Sequence, residues 1–281
     1  MFVVIKGAGD LASGIALRLH HCGFRVAMTE VAAPTAVRRA VCFSGAVYEG
    51  RFQVEDVNAL LVKDEAGMNG AFADKQIAVF VDPTAAIVKK LKPAVLVDAI
   101  MAKKNTGTAL ADAPVVIGVG PGFTAGLDCH AVIETQRGHS LGRVITEGSA
   151  LPNTGVPGGI GGYTVERILR SPADGVFAAL LSIGDAVNKG DTVALVRTAT
   201  GTSESGTGST LEYPLKAEIG GFLRGLLPTG IAVSRGMKAG DIDPRCERAH
   251  CFTVSDKALA VGGGVLEACL RFSSGTIACF F

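Results

Sequence analysis

The sequence predicts an α/β domain over residues 1–150 and a small all-β module over 165–245, followed by a tail, 246–281, that packs back on the first domain. Short apolar runs alternate with helically spaced segments through the front half, a glycine-rich turn joins the first such pair, and the back half contains a gapless internal repeat. At 281 residues, 48% of them hydrophobic and 19% charged, the chain is long enough for two cores and too apolar for extended disorder.

Phe2 to Ile5 is a continuous apolar run of the kind a buried parallel strand shows, and Leu11, Ile15 and Leu19 then recur at helical spacing. Between them Gly7, Gly9 and Ala12 fit the pattern G-x-G-x-x-G/A. The first glycine makes the tight turn, the second lets a phosphate approach the backbone, and the small third residue lets helix and strand pack closely. Phe24 to Met28 reads as the second strand, and Glu30 stands where such folds place the acid that binds a ribose hydroxyl. The unit is Rossmann-like, with ligand contacts expected at Gly7, Gly9, Asp10, Ala12, Ser13 and Glu30. Asp10 also reads as a helix N-terminal acid, its commonest use at that position.

Ile77 to Val81 and Ala94 to Val97 are two further strands, ending at Asp82 and Asp98, with a helix from Thr84 to Leu91 between them. Asp82, before Pro83, reads as a helix cap. Asp98 leads into AIMAKKNTGT, whose Lys103, Lys104 and Asn105 either contact an anionic ligand or form a solvated face. The segment VVIGVGPGFTAGLDCH, 115–130, repeats the opening logic, and Gly118, Gly120 and Gly122 join the expected ligand contacts. Cys129, beside His130, is the candidate reactive thiol, against the alternative of a buried structural cysteine. Glycines at 155–162 mark a hinge or a second ligand-facing loop.

In the back half, Gly175, Leu180, Leu181, Gly184, Ala186, Val187 and Gly190 recur 46 residues later as Gly221, Leu226, Leu227, Gly230, Ala232, Val233 and Gly236. Short strands between glycine turns, in two copies, resemble the halves of the lipoyl and biotinyl barrel-sandwich hybrid. The stretch joining the copies, 198–212, contains no lysine, so no lipoyl or biotin attachment is expected, and its composition reads as an exposed flexible loop. In the tail, Ser255 or Asp256 caps a helix interrupted by Gly262 to Gly264.

Lys plus Arg is 27 against Asp plus Glu 26, a formal charge of +1, which leaves no field to attract nucleic acid or an anionic membrane. Seven cysteines without a CxxC pair write neither a disulfide framework nor a four-thiolate metal site, and no metal ligand set is expected. A reducing cytoplasm fits this cysteine usage, and neither an export signal nor an apolar run of membrane-spanning length is apparent.

The stretches VIKGAGDLASGIALRLHHCGFRVAMTE, VYEG, VDAIMAKKNTGT, GVGPGFTAGLDCHAVIET, GDIDPR and SDKALAVGGGVLEA together resemble the accessory-protein family of selenium-dependent molybdenum hydroxylase systems. That family is distantly similar to xanthine dehydrogenase accessory proteins. The resemblance implies a maturation factor that binds molybdenum cofactor, or a dinucleotide or nucleotide-like precursor, at the 7–14 and 118–130 loops, with the hydroxylase as partner. It implies no catalytic mechanism. The residues themselves leave two other readings: an NAD(P)-dependent oxidoreductase using Glu30, though without a Tyr-x-x-x-Lys motif, and an interaction scaffold whose Rossmann unit is empty. Homo-oligomer formation is left open.

Overall fold

The computed structural model describes residues 1–156, 158–200 and 209–273. It divides into two compact units: one holds Met1–Pro34, Cys42–Thr154 and the chain from Val254 onward, the other Thr35–Val41 and Gly155–Thr253. Part of the glycine-rich joining stretch 198–212, and Cys279, lie outside the described residues.

The first unit runs β1 (Phe2–Lys6), α1 (Asp10–His21), β2 (Arg25–Glu30), α2 (Gly45–Glu49), β3 (Arg51–Val54), β4 (Val57–Val62) and α3 (Glu65–Ala73). It continues through β5 (Ile77–Val81), α4 (Ile87–Leu91), β6 (Val95–Asp98), β7 (Val115–Val119), β8 (Thr124–Ala125), β9 (Ala131–Ile133), β10 (Val144–Ile145) and β11 (Gly148–Ser149). Nine strands form one sheet in the order β10-β9-β7-β6-β1-β2-β5-β4-β3. The pairings from β9 through to β4 are parallel, while β10 on β9 and β3 on β4 are antiparallel. The apolar runs explain the middle: Val3, Val4 and Ile5 have no exposed surface, as strands covered on both faces require.

The second unit contains β12 (Ile168–Arg170), β13 (Gly175–Ala179), β14 (Ala186–Val187), β15 (Thr192–Thr200), β16 (Ser209–Lys216), β17 (Gly221–Leu226), β18 (Ala232–Val233) and β19 (Lys238–Asp243). Its two four-stranded antiparallel sheets run β12-β19-β17-β14 and β16-β15-β13-β18. The 46-residue repeat is legible here, because β13, β14 and β15 correspond to β17, β18 and β19, and each copy lends its short strand to the other's sheet. Gly184 and its counterpart Gly230 share φ 94, a left-handed turn that glycine adopts without cost. Segment 35–41 lies along β17, where the Leu226 N–H donates to Val37 O at 2.8 Å.

This corrects the expected pairing of a Rossmann-like domain with a barrel-sandwich-hybrid-like module. A large mixed sheet with few helices dominates: α2 and α4 have only five residues each, and a polar loop with one 3-10 turn, Leu110–Asp112, links β6 to β7 where a doubly wound domain places a helix. At the far edge, Glu55, at φ 52, and Asp56 close a two-residue hairpin, so β3 returns antiparallel on β4 instead of crossing over. The back half is two short antiparallel sheets in a unit that also takes in residues 35–41.

The C-terminal helix α5 (Asp256–Phe272) starts at Ser255, whose side chain accepts from the Ala258 N–H. It packs on α1 through small residues: a Cβ on Gly14 would stand 2.7 Å from that of Ala258. The sequence's helical glycines serve this close crossing, since Gly262 faces the Gly14 carbonyl in the same way. No helix among the described residues is long and apolar enough to cross a membrane.

Candidate ligand-binding site

The order of the sheet locates the site before any side chain does. From β1 the chain moves to β2 on one side, whereas β6 and then β7 lie on the other, so the sequence reverses direction between β1 and β6. Ligands of open parallel sheets bind outside the carboxyl ends of the strands at such a point. Here those ends are Lys6-Gly7 and Asp98-Ala99.

Gly7, at φ +94, turns the chain out of β1, and a Cβ there would meet the Ala99 carbonyl oxygen at 3.1 Å. Its N–H donates to Thr29 O at 2.8 Å, and the Ala8 N–H donates to Glu30 Oε2 at 2.9 Å. Glu30 Oε1 accepts from the Val31 N–H at 2.8 Å, so this carboxylate, expected on a ribose, braces the turn. Ser13 is also a brace: fully buried, its hydroxyl donates to Ala8 O and accepts from the Phe43 N–H at 2.8 Å. Ala12 is 1% exposed and packs inside.

Gly9 differs from all of these. It is the N-cap of α1, in extended backbone, and no side chain caps the helix there. A Cβ added to it would meet nothing within 4 Å. The start of a twelve-residue helix thus presents its first amides, with their share of the helix dipole, beside open space. Asp10 stands in the first turn.

Beneath the turn lies a polar group that sequence reasoning half missed. Lys6 and Asp98 are register partners on β1 and β6, 6% and 1% exposed. Lys6 Nζ is 3.1 Å from Asp98 Oδ2 and donates to Thr108 Oγ1 at 2.6 Å, and the Thr108 hydroxyl donates to the same Asp98 oxygen at 2.6 Å. Asp98 Oδ1 accepts from the Ile100 N–H. The signal for Lys6 was a cation closing an otherwise apolar run. Thr108, 102 positions away, had none.

The second glycine cluster has a different cause. A Cβ on Gly118 would stand 2.5 Å from the Phe123 ring, one on Gly120 2.8 Å from Thr135 Oγ1, and one on Gly122 2.6 Å from the Lys104 backbone. These glycines admit the chain's own atoms. Asp82 accepts from the Ile87 N–H at 2.8 Å, but the helix starts at Ile87 with Ala86 as its N-cap, three residues later than the Thr84 start expected for an Asp82 cap. Asp128 accepts from the Thr124 N–H and the Asn105 side chain.

Cys129 is fully buried, and burial pushes its thiol up to about 11, so it stays protonated at neutral pH, as in the structural reading. His130 uses Nδ1 to accept the Val116 N–H at 3.0 Å. No group of three or more His, Cys, Asp or Glu side chains among the described residues could hold a metal ion.

No family model matches the chain. It is 50% identical over 266 residues to "Uncharacterized protein YqeB" of Escherichia coli K12, a match covering 95% of this chain and 47% of that protein. The chain therefore spans about half the length of the curated relative it matches. Among solved structures, an aspartoacylase family protein of Mesorhizobium loti is 10% identical, with a TM-score of 0.30 over 86% of this chain and 84% of that one. A succinylglutamate desuccinylase/aspartoacylase of Rhodobacter sphaeroides is 13% identical at TM-score 0.27, over 86% and 84%. The ectoine utilization protein EutE (DoeB) of Ruegeria pomeroyi is 12% identical at TM-score 0.24, over 77% and 57%.

None of these is described as a molybdenum hydroxylase accessory protein, and the expected resemblance is corrected accordingly. The expected function is corrected with it: maturation of a molybdenum hydroxylase, and the two alternatives read from the residues, NAD(P)-dependent oxidoreduction and an empty Rossmann scaffold. Function is therefore read from this chain's own residues.

Proposed function

We propose that the chain binds a small phosphate-bearing ligand, of the nucleotide type, at the turn between β1 and α1. The supporting observation is the uncapped start of α1 at Gly9, beside open space at the reversal point of a parallel sheet. A helix start with no side-chain cap favours an anion. Gly7 and Glu30 shape the turn, Gly9 and the amides that follow hold the phosphate, and Asp10 stays at the rim. The reading places the protein in the cytoplasm, supported by six cysteines that form no disulfide among the described residues.

The test is calorimetric titration with ADP of the full chain and of Gly9→Val. Gly9 has extended dihedrals that any residue adopts and no neighbour to clash with, so the variant folds normally. Its branched side chain fills the space beside the amides and weakens binding at least about tenfold, roughly 1.4 kcal/mol. Equal affinity of the two proteins for ADP would place the site elsewhere.

A further inference from the structure

The first unit holds a buried hydroxyl that its own fold does not use. Ser44 is 2% exposed and stands at the start of α2, in helical backbone at φ −57 and ψ −18, yet its side chain caps nothing. Its Oγ has no hydrogen-bond partner among the described residues. A serine hydroxyl carries one donor and two acceptor positions, and sealing such a group in protein without a partner costs about 1–3 kcal/mol. The Ser44 Oγ is unpartnered without being sealed, so the little surface that the residue keeps includes the hydroxyl. A nearly buried polar group of this kind calls for a partner from outside the chain.

The contacts of the surrounding segment show where that hydroxyl stands. The Ser44 N–H donates to Ala8 O at 3.0 Å, and the Phe43 N–H donates to Ser13 Oγ at 2.8 Å. Residues 43 and 44 are thus clamped on the glycine turn and on the first turn of α1. Cys42, Phe43, Gly45 and Ala46, the neighbours of Ser44 in sequence, are buried too, whereas Gly7, Gly9 and Asp10 are half-buried. The part-open backbone beside Ser44 is therefore that of the turn, one peptide from the uncapped start of α1 at Gly9. Lys6, the cation beneath the turn, bonds Asp98 and Thr108 instead.

We propose that Ser44 is a ligand-binding residue, its hydroxyl donating to the phosphate held on the first amides of α1. This rests on the reading of the Gly9 turn given above, and adds a side-chain donor to a site otherwise made of backbone. The probes are ADP and inorganic pyrophosphate, the diphosphate of ADP without its nucleoside. Both are titrated calorimetrically against the full chain, Ser44→Ala and Gly9→Val, with urea unfolding of each protein.

Alanine suits the helical backbone at 44 and removes only Oγ. Because that atom bonds nothing in the protein, Ser44→Ala unfolds at the wild-type urea concentration or slightly above it. Loss of one hydrogen bond to a charged group weakens binding of both probes at least about tenfold. Wild-type affinity of Ser44→Ala for either probe overturns the contact, and weaker binding by Gly9→Val in the same titrations then leaves the Gly9 reading standing. A clear fall in the urea midpoint of Ser44→Ala overturns it as well, since the hydroxyl would then serve the fold. Wild-type protein that binds neither probe overturns both readings together.

Discussion

The turn after β1 and the loop after β7 are both glycine-rich, both follow a buried parallel strand, and both lie at the carboxyl edge of the same sheet, yet their glycines answer to different neighbours. Around Gly118, Gly120 and Gly122, an added Cβ would strike Phe123, Thr135 and the Lys104 backbone. At Gly9 it would strike nothing, and the helix behind it lacks a cap. Glycine enrichment therefore reports close approach to a backbone without saying what approaches: the protein's own loop in one case, open space in the other. The two regions meet at Lys6 and Asp98, which join the strand feeding the first turn to the strand feeding the loop that fills the second.

Breaking that joint carries the largest expected effect. Lys6→Met leaves Asp98, 1% exposed, as a buried charge without its cation, and costs about 3–5 kcal/mol of stability in urea unfolding. The double variant Lys6→Met/Asp98→Leu removes both charges and recovers most of the loss, because a buried pair replaced by apolar groups is often neutral. A single variant as stable as wild type would show that the pair does not hold the two regions together.

Gly122→Ala probes the filled cluster directly. The position has φ +108, and the new Cβ would sit 2.6 Å from the Lys104 backbone, so strain and overpacking combine to a loss of about 3 kcal/mol, read in the same unfolding experiment. A change below about 0.5 kcal/mol, the level of an ordinary surface substitution, would mean that the glycine does not admit the 101–104 segment.

The contrast between the two clusters also marks what was legible in the residues. The strand, turn, helix and strand from Phe2 to Glu30 were readable because a continuous apolar run, a glycine turn and a helical period are local properties. The repeat was readable because seven identities share one offset, and its copies do form matching strands. The β3–β4 hairpin was not, since its turn is Glu55-Asp56 with neither glycine nor asparagine to announce it. The filling of the second glycine cluster was also hidden, because Gly122 meets a backbone 18 positions earlier in the chain and composition carries no trace of that encounter. Ser13 and Glu30, read from the sequence as ligand contacts, stand at the turn, where each bonds the protein's own amides, partners that no local pattern announces.

The smallest effect sharpens the comparison most, because its sign depends on what Gly9 is for. Serine ranks above glycine as an N-cap, its hydroxyl accepting from an amide in the first turn. Gly9 has the extended dihedrals of an N-cap, φ −75 and ψ −169, which serine adopts without strain, and nothing lies within 4 Å of the added Cβ. On stability alone, Gly9→Ser gains a few tenths of a kcal/mol. That same hydroxyl occupies an amide the ligand needs, so the variant binds ADP more weakly while melting slightly higher. The opposite signs separate a helix start that binds a ligand from an ordinary one. At Gly122 no substitution can produce them, because there space and backbone are both already taken. A Gly9→Ser protein that is stabilised and binds ADP as tightly as wild type would mean that the first amides of α1 are incidental to binding.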